Sequence, residues 1–204
     1  MRVFEPLGLD VLREILDCAI RELDRFLMLA GRPPGKFKVY GDRLITISLC
    51  QGSAQHFVDL QGRSDFDNIV LVTQRELDEK GYRVTPTGRI VNGVNDIDVC
   101  LFFQQLASVP IPNRNHCIKS ATGRFSGLGE RRLDFLKKGV SREVIGSAGS
   151  SEPTEVIRSY MRNTPHGRQH LSRKSVIGLY PARVFGKVLW RSLRAMEGSD
   201  IHSC

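Results

Sequence analysis

Val94-Asn95-Asp96-Ile97-Asp98-Val99-Cys100-Leu101-Phe102-Phe103 sets two carboxylates one residue apart at the head of an unbroken apolar run. A run of this length and composition is expected to form a buried strand. Residues two apart in a strand project from the same face, so Asp96 and Asp98 are expected to leave its leading end together. Two anions held that close repel each other unless a cation or a proton lies between them. A hard divalent ion with oxygen ligands, such as Mg2+, meets that need. The competing reading is a solvated turn that happens to precede a core strand, and Asp-x-Asp alone does not choose between them.

Upstream, Leu44-Ile45-Thr46-Ile47-Ser48-Leu49-Cys50 is rich in β-branched residues and runs into Gln51-Gly52-Ser53-Ala54. It is expected to be a strand, and Ala54 to Val58 to open a helix. A strand–Gly-Ser–helix corner offers free N–H groups and a hydroxyl to a phosphate, although most such corners are plain turns. Between the two strands, Ile69-Val70-Leu71-Val72 suggests a strand and 73–80 a helix ended by Gly81. Tyr82-Arg83-Val84 and Arg89-Ile90-Val91, joined by Thr85-Pro86-Thr87-Gly88, suggest a hairpin. Downstream, 108–129 contains Pro110, Pro112, Gly123, Gly127 and Gly129 and is expected to be a long loop. Glu130-Arg131-Arg132-Leu133-Asp134-Phe135-Leu136 then alternates as a strand, with Arg132 and Asp134 on one face and Leu133 and Phe135 on the other.

The flanks are expected to be helical. Leu12, Ile15, Leu16, Ala19, Leu23, Phe26, Leu27 and Ala30 recur at helical spacing after Asp10, and Gly31 with Pro33-Pro34 stops the pattern. Lys36 to Tyr40 suggests a short strand, and Gly146 to Ser151 a flexible linker. Helices are expected over about Pro153–Arg162, Arg168–Ile177 and Pro181–Met196, the last with a stripe of Val184, Val188, Leu189 and Leu193. This divides the chain into a core over 1–146, with an inserted hairpin over about 64–93, and a helical part over 147–204 packed on it. The tail, 197–204, is expected to be frayed.

Composition bounds the function. A chain of 204 residues with 41% hydrophobic and 25% charged residues suits a globular domain with a real core. No apolar run is long enough for a membrane span, and the first residues lack the apolar segment of a signal peptide. Cys18, Cys50, Cys100, Cys117 and Cys204 form no CxxC pair, and Cys50 and Cys100 fall in apolar runs, which suggests reduced thiols and a cytoplasmic setting. The net charge of +8 is uneven: residues 1–110 carry 13 Lys/Arg against 15 Asp/Glu, and residues 111–204 carry 17 against 7. An acidic half joined to a basic half suits an anionic, phosphate-bearing substrate; a solvated basic surface is the plainer alternative. His166 and His170 are four apart but flanked by Pro165 and Gly167, without the glutamate of an HExxH motif, so they are assigned to the surface. His116-Cys117 has no partner at a triad spacing, and Trp190 is assigned to packing.

Gly52-Ser53 after a strand, Asp96-x-Asp98 opening a strand and Asp134 on a later strand occur in an order that resembles the nucleotidyltransferase superfamily, which includes DNA polymerase beta. More narrowly, Leu49-Cys50-Gln51-Gly52-Ser53-Ala54, Asp96-Ile97-Asp98-Val99, Gly129-Glu130-Arg131-Arg132-Leu133-Asp134 and Lys174-Ser175-Val176-Ile177-Gly178-Leu179-Tyr180-Pro181 resemble small, uncharacterised bacterial nucleotidyltransferase-like proteins. The resemblance covers most of Leu44 to Trp190. It implies an α+β fold with a mixed β-sheet of the nucleotidyltransferase type, packed helices and a C-terminal helical part. One departure stands out. The superfamily places its paired acids about a dozen residues after the Gly-Ser, and Asp65-Phe66-Asp67 begins 12 positions after Ser53, whereas Asp96 lies 43 positions after it. Asp67 is followed by polar Asn68, while Asp98 leads into the apolar strand that a rigid metal site requires. The choice therefore falls on Asp96/Asp98, with the intervening hairpin as an insertion.

The implied chemistry is transfer of a nucleoside monophosphate from an NTP. Asp96 and Asp98 would hold two Mg2+ or Mn2+ ions, with Asp134 on one of them and placed to take the hydroxyl proton. Gly52 N–H and Ser53 Oγ would hold the phosphates, and Arg132 would pair with Asp134 or touch a phosphate, an exposed edge charge being its plainer alternative. Lys174 is a further phosphate candidate, with a solvated helix face as the plainer alternative. The acceptor stays open between a small molecule, a protein and RNA. Two other readings stand beside this one: an inactive relative that binds nucleic acid or a protein partner through its basic C-terminal half, and a two-metal phosphodiesterase that would not need the Gly-Ser corner.

Overall fold

Leu49, Val99, Leu101, Phe103, Leu133 and Phe135 point to one side of a sheet, and Cys50, Cys100, Phe102 and Leu136 to the other. That alternation, repeated on neighbouring strands, leaves two apolar faces that must both be covered. A computed structural model shows how. It describes residues 7–29, 43–61, 69–72, 89–92, 96–105, 116–118 and 132–192.

The described elements are α1 (Leu9–Leu29), β1 (Leu44–Cys50), α2 (Gln51–Leu60), β2 (Ile69–Val72), β3 (Arg89–Asn92), β4 (Asp96–Gln104), β5 (His116–Ile118), β6 (Arg132–Val140), α3 (Arg142–Ala148), α4 (Pro153–Asn163), α5 (Pro165–Gln169), β7 (Val176–Tyr180) and β8 (Val188–Trp190). Six strands form one mixed sheet in the order β5-β6-β4-β1-β7-β8. The fold is α+β. β4 lies inside the sheet, antiparallel to β1 and parallel to β6. An interior strand with both faces covered must be apolar along its length, and Ile97, Val99, Cys100, Leu101, Phe102 and Phe103 are all buried. β2 and β3 pair with each other in parallel, as a separate two-stranded sheet between α2 and β4.

One face is covered by α1, through Leu12, Ile15 and Ala19, and by α2, through Ala54 and Phe57. The other is covered by α3 and α4, through Val144, Val156, Ile157, Tyr160 and Met161, together with Leu171 and Val184. Tyr160 meets Phe102 edge-on, with ring centroids 5.4 Å apart and planes at 81°, a favoured aromatic geometry. Burial pushes the Tyr160 phenol up to about 12. α3 starts at Ser141, whose hydroxyl accepts from Val144 N–H, and ends at Gly149 in the left-handed conformation.

Several expectations change. Gly146 to Ala148 form the last turn of α3 instead of a linker. The expected helix over Arg168–Ile177 is replaced by the end of α5, a 3-10 turn over Leu171–Arg173 and strand β7. Over its described residues, to Ser192, the expected helix over Pro181–Met196 is replaced by a 3-10 turn over Ala182–Val184 and strand β8. The C-terminal part is therefore helical only as far as Gln169 and 3-10 turns, and it returns two strands to the main sheet, β7 pairing antiparallel with β1. Three β-branched or leucyl side chains in Val176-Ile177-Gly178-Leu179-Tyr180 favour a strand once β1 offers an edge. Tyr180-Pro181 is a cis peptide and Gly186 is left-handed, at φ 70°. His116–Ile118, within the expected long loop, is an edge strand on β6. β3 takes β2 as its described partner, in parallel; the expected hairpin strand at 82–84 lies outside the described residues, as do Lys36–Tyr40, the helix at 73–80 and the tail.

Gly178 is needed for close packing. Its N–H donates to Lys187 O and its O accepts from Gly186 N–H, and a Cβ there would stand 2.5 Å from Val184 O. Backbone on both sides cannot give way, so Gly178→Ala is expected to cost about 2 kcal/mol and to lower Tm by about 5 °C, measured by thermal circular dichroism.

Candidate functional site

β1 ends and α2 begins without a connecting loop: Cys50 is the last strand residue and Gln51 the first helical one. So abrupt a reversal needs an unusual backbone step, and Gln51 supplies it at φ 57°. The left-handed residue is thus Gln51 and not Gly52. A side chain in this region costs roughly 1–2 kcal/mol. Gln51→Gly is expected to stabilise the protein by about 1 kcal/mol and Gln51→Val to destabilise it by at least as much, read as urea midpoints.

Ser53 locks the corner. It is fully buried, its hydroxyl donates to Cys50 O at 2.8 Å, and it accepts from Asp98 N–H at 3.4 Å. β4 is thereby tied to the corner at the residue where Cys50 and Asp98 are register partners. On the other side of β4, Asp98 is the register partner of Asp134 and Asp96 that of Arg132. In-register residues on adjacent parallel strands face the same way, about 4.8 Å apart. Asp98 and Asp134 therefore stand abreast at the end of the sheet, on the face that carries Cys100, Phe102 and Leu136. Asp98 is partly exposed and Asp134 buried.

The sequence-predicted residues divide accordingly. Gly52, Ser53, Asp98 and Asp134 converge. The backbones of Asp96 and Arg132 sit in register beside them, while their side chains, like Asp65 and Asp67, lie outside the described residues. Among the described residues no group of three or more His, Cys, Asp or Glu side chains gathers to hold a metal. Gly52 is exposed, and α2 has no side chain capping its first N–H groups, which leaves donors at that end. The Cys50 thiol, next to Asp98, is pushed well up, first by burial and then by a hydrogen bond with Cys100; it is an inert thiol and not a nucleophile.

Sequence reasoning missed Gln55 and Ser175. Ser175 N–H and Oγ donate to Gln55 Oε1 at 3.3 and 3.0 Å, which fastens the segment before β7 onto α2. The two residues lie 120 positions apart, and neither has a local signature. Lys174, just before Ser175, is exposed. Trp190 is a packing residue, as expected: it lies against the second core cluster, and its Nε1 donates to Ser172 O at 3.0 Å. His166 and His170 lie with ring centroids 5.1 Å apart and planes tilted at 41°. Burial, followed by Lys138 and His170, holds His166 below the usual imidazole range.

No helix among the described residues is long and apolar enough to cross a membrane. A scan against protein-family models found no match, and neither did searches of curated proteins and of solved structures.

Proposed function

We propose that this protein transfers a nucleoside monophosphate from an NTP to an acceptor hydroxyl, in the manner of a metal-dependent nucleotidyltransferase. The observation that carries the proposal is the placement of Asp98 and Asp134, abreast on parallel strands and hydrogen-bonded through Asp98 N–H to the corner that opens α2.

The donor set suits a hard cation: two carboxylates on rigid interior strands, with Asp96 two residues before Asp98, offer only oxygen ligands. Bound there, two Mg2+ or Mn2+ ions would neutralise the triphosphate and make the acceptor hydroxyl more acidic. The acceptor oxygen attacks the α-phosphorus, the bond to the bridging β-phosphate oxygen breaks, and pyrophosphate leaves. Asp134 would accept the hydroxyl proton. The N–H groups of Gly52 and its neighbours at the open end of α2 hold the departing phosphates. Ser53 acts differently from the role its sequence position suggests: its hydroxyl is spent on the corner and on β4, so it positions Asp98 instead of contacting phosphate. NTP specificity, the acceptor and the roles of Asp96 and Arg132 belong to the same proposal.

Thermal melting with Mg2+ or Mn2+ and each of the four NTPs tests this. A metal-dependent rise in Tm that disappears in Asp98→Asn supports it, and no rise with any nucleotide rejects it. The second reading, a non-catalytic protein that binds nucleic acid or a protein partner, is favoured by the buried and fully engaged Ser53 hydroxyl. It predicts binding without any metal-dependent nucleotide effect.

A further inference from the structure

The residues from 153 to 192 hold eight Lys/Arg and one acidic residue, Glu155. Two of these cations are paired with acids, four follow one another from α4 to β7, and the remaining two, Lys187 and Arg191, are exposed at the two ends of β8. Arg158 pairs with Glu155 at 2.8 Å and Arg183 with Glu152 at 2.9 Å. Arg162, Arg168, Arg173 and Lys174 are exposed and have no acidic partner among the described residues.

These four lie on consecutive short elements. Arg162 is in the last turn of α4. Arg168, on α5, reaches back so that its Nη1 donates to Arg162 O at 3.3 Å. Arg173 ends the 3-10 turn that follows. Lys174 comes next, and Ser175 is bonded to Gln55 of α2. The path runs from the C-terminal end of α4 to the helix that starts at the Gly52 corner. Its shape depends on tight packing: a Cβ on Gly167 would lie 2.3 Å from Tyr160 O, so α5 presses directly on the end of α4. Exposed His170 stands among the same residues. A row of unpaired cations on rigid elements is the electrostatic footprint of a polyphosphate backbone.

We propose that Arg162, Arg168, Arg173 and Lys174 form a track that binds the phosphate backbone of a nucleic acid and leads it toward the corner beside Asp98 and Asp134. The track names the acceptor class under the proposed function and so rests on that reading for its catalytic meaning. The binding itself requires neither metal nor NTP. Each cation meets a phosphate oxygen and releases a condensed counterion, so affinity falls steeply with salt.

The test is fluorescence anisotropy with a labelled 20-nucleotide RNA, in EDTA, across a KCl series. Four contacts predict a slope of log K against log salt of about −3. Single Ala substitutions of Arg162, Arg168, Arg173 or Lys174 are expected to weaken binding several-fold and to flatten the slope by roughly 0.7–1 each. Arg158→Ala and Arg183→Ala, which remove cations already paired, are expected to leave both unchanged. A fourfold Arg/Lys→Ala variant abolishes binding, and a variant with Lys at all four positions retains it, which separates lost charge from lost fold. Equal losses from Arg158→Ala or Arg183→Ala would overturn the track, because binding would then follow net charge alone. So would binding to vesicles containing phosphatidylserine in the absence of RNA binding. If RNA binds normally and no NTP shifts Tm, the catalytic reading fails and the track stands; if NTPs bind and RNA does not, the track alone fails.

Discussion

Asp98→Asn and Asp134→Asn are each expected to lower pyrophosphate release from Mg·NTP by about 10²–10³-fold, the several kcal/mol that a correctly held metal ion contributes. The comparison that gives this result its meaning is Ser48→Ala. Ser48 is buried on the neighbouring strand, in contact with Thr46 at 3.2 Å, and touches neither carboxylate in the pairing register. Its replacement should leave turnover within a factor of a few. If all three variants lose activity together, the acids act only through the sheet. If Mn2+ affinity, read by calorimetry, falls in the two Asp variants and not in Ser48→Ala, they are ligands. The separation is clean because Asp98 and Asp134 sit at strand positions whose backbone bonds persist whatever the side chain.

Phe102→Ala is expected to have the largest effect on stability. The ring is fully buried between the sheet and the C-terminal helices and meets Tyr160 edge-on. Truncating such a residue removes transfer free energy and leaves a cavity, at a cost of about 3–5 kcal/mol. For a chain of this size Tm should fall by about 10 °C. In a double-mutant cycle Tyr160→Phe should couple weakly with Phe102→Ala, since the ring-to-ring contact survives without the hydroxyl, whereas Tyr160→Ala should couple by about 1 kcal/mol. Chemical denaturation of the four proteins would show whether the helical layer and β4 share one cooperative core.

What could be read from the residues follows from how local the signal is. β4 and β1 are legible because an apolar run between turns has few alternatives. α1 is legible because Leu12, Ile15 and Ala19 repeat with the helical period and bury that face. β6 is legible because Leu133 and Phe135 alternate with Asp134, and the alternation sets the carboxylate on the side away from them. β7 and β8 are not legible. Val184, Val188 and Leu189 fall at helical spacing, but Val184 belongs to a turn and the other two to a three-residue strand. That strand exists only because β7 pairs with it, and β7 only because β1, more than 120 residues earlier, provides an edge. Ser53 illustrates the same limit at the site. Its position after a strand and before a helix suggests a ligand contact, yet its hydroxyl completes the corner by donating to Cys50 O at 2.8 Å. Nothing in the local sequence distinguishes a hydroxyl that faces solvent from one that closes a turn.

The insertion of β7 between β1 and β8 has a consequence for biosynthesis. β1 gains its partner on one side when β4 forms, but its other margin stays unpaired until Val176–Tyr180 has left the ribosome. For most of translation a stretch of Leu, Ile and Thr therefore presents open amide and carbonyl groups, the kind of template that recruits stray strands. A nascent chain halted before residue 176 would be a client for holdase chaperones, and one released after residue 190 would not.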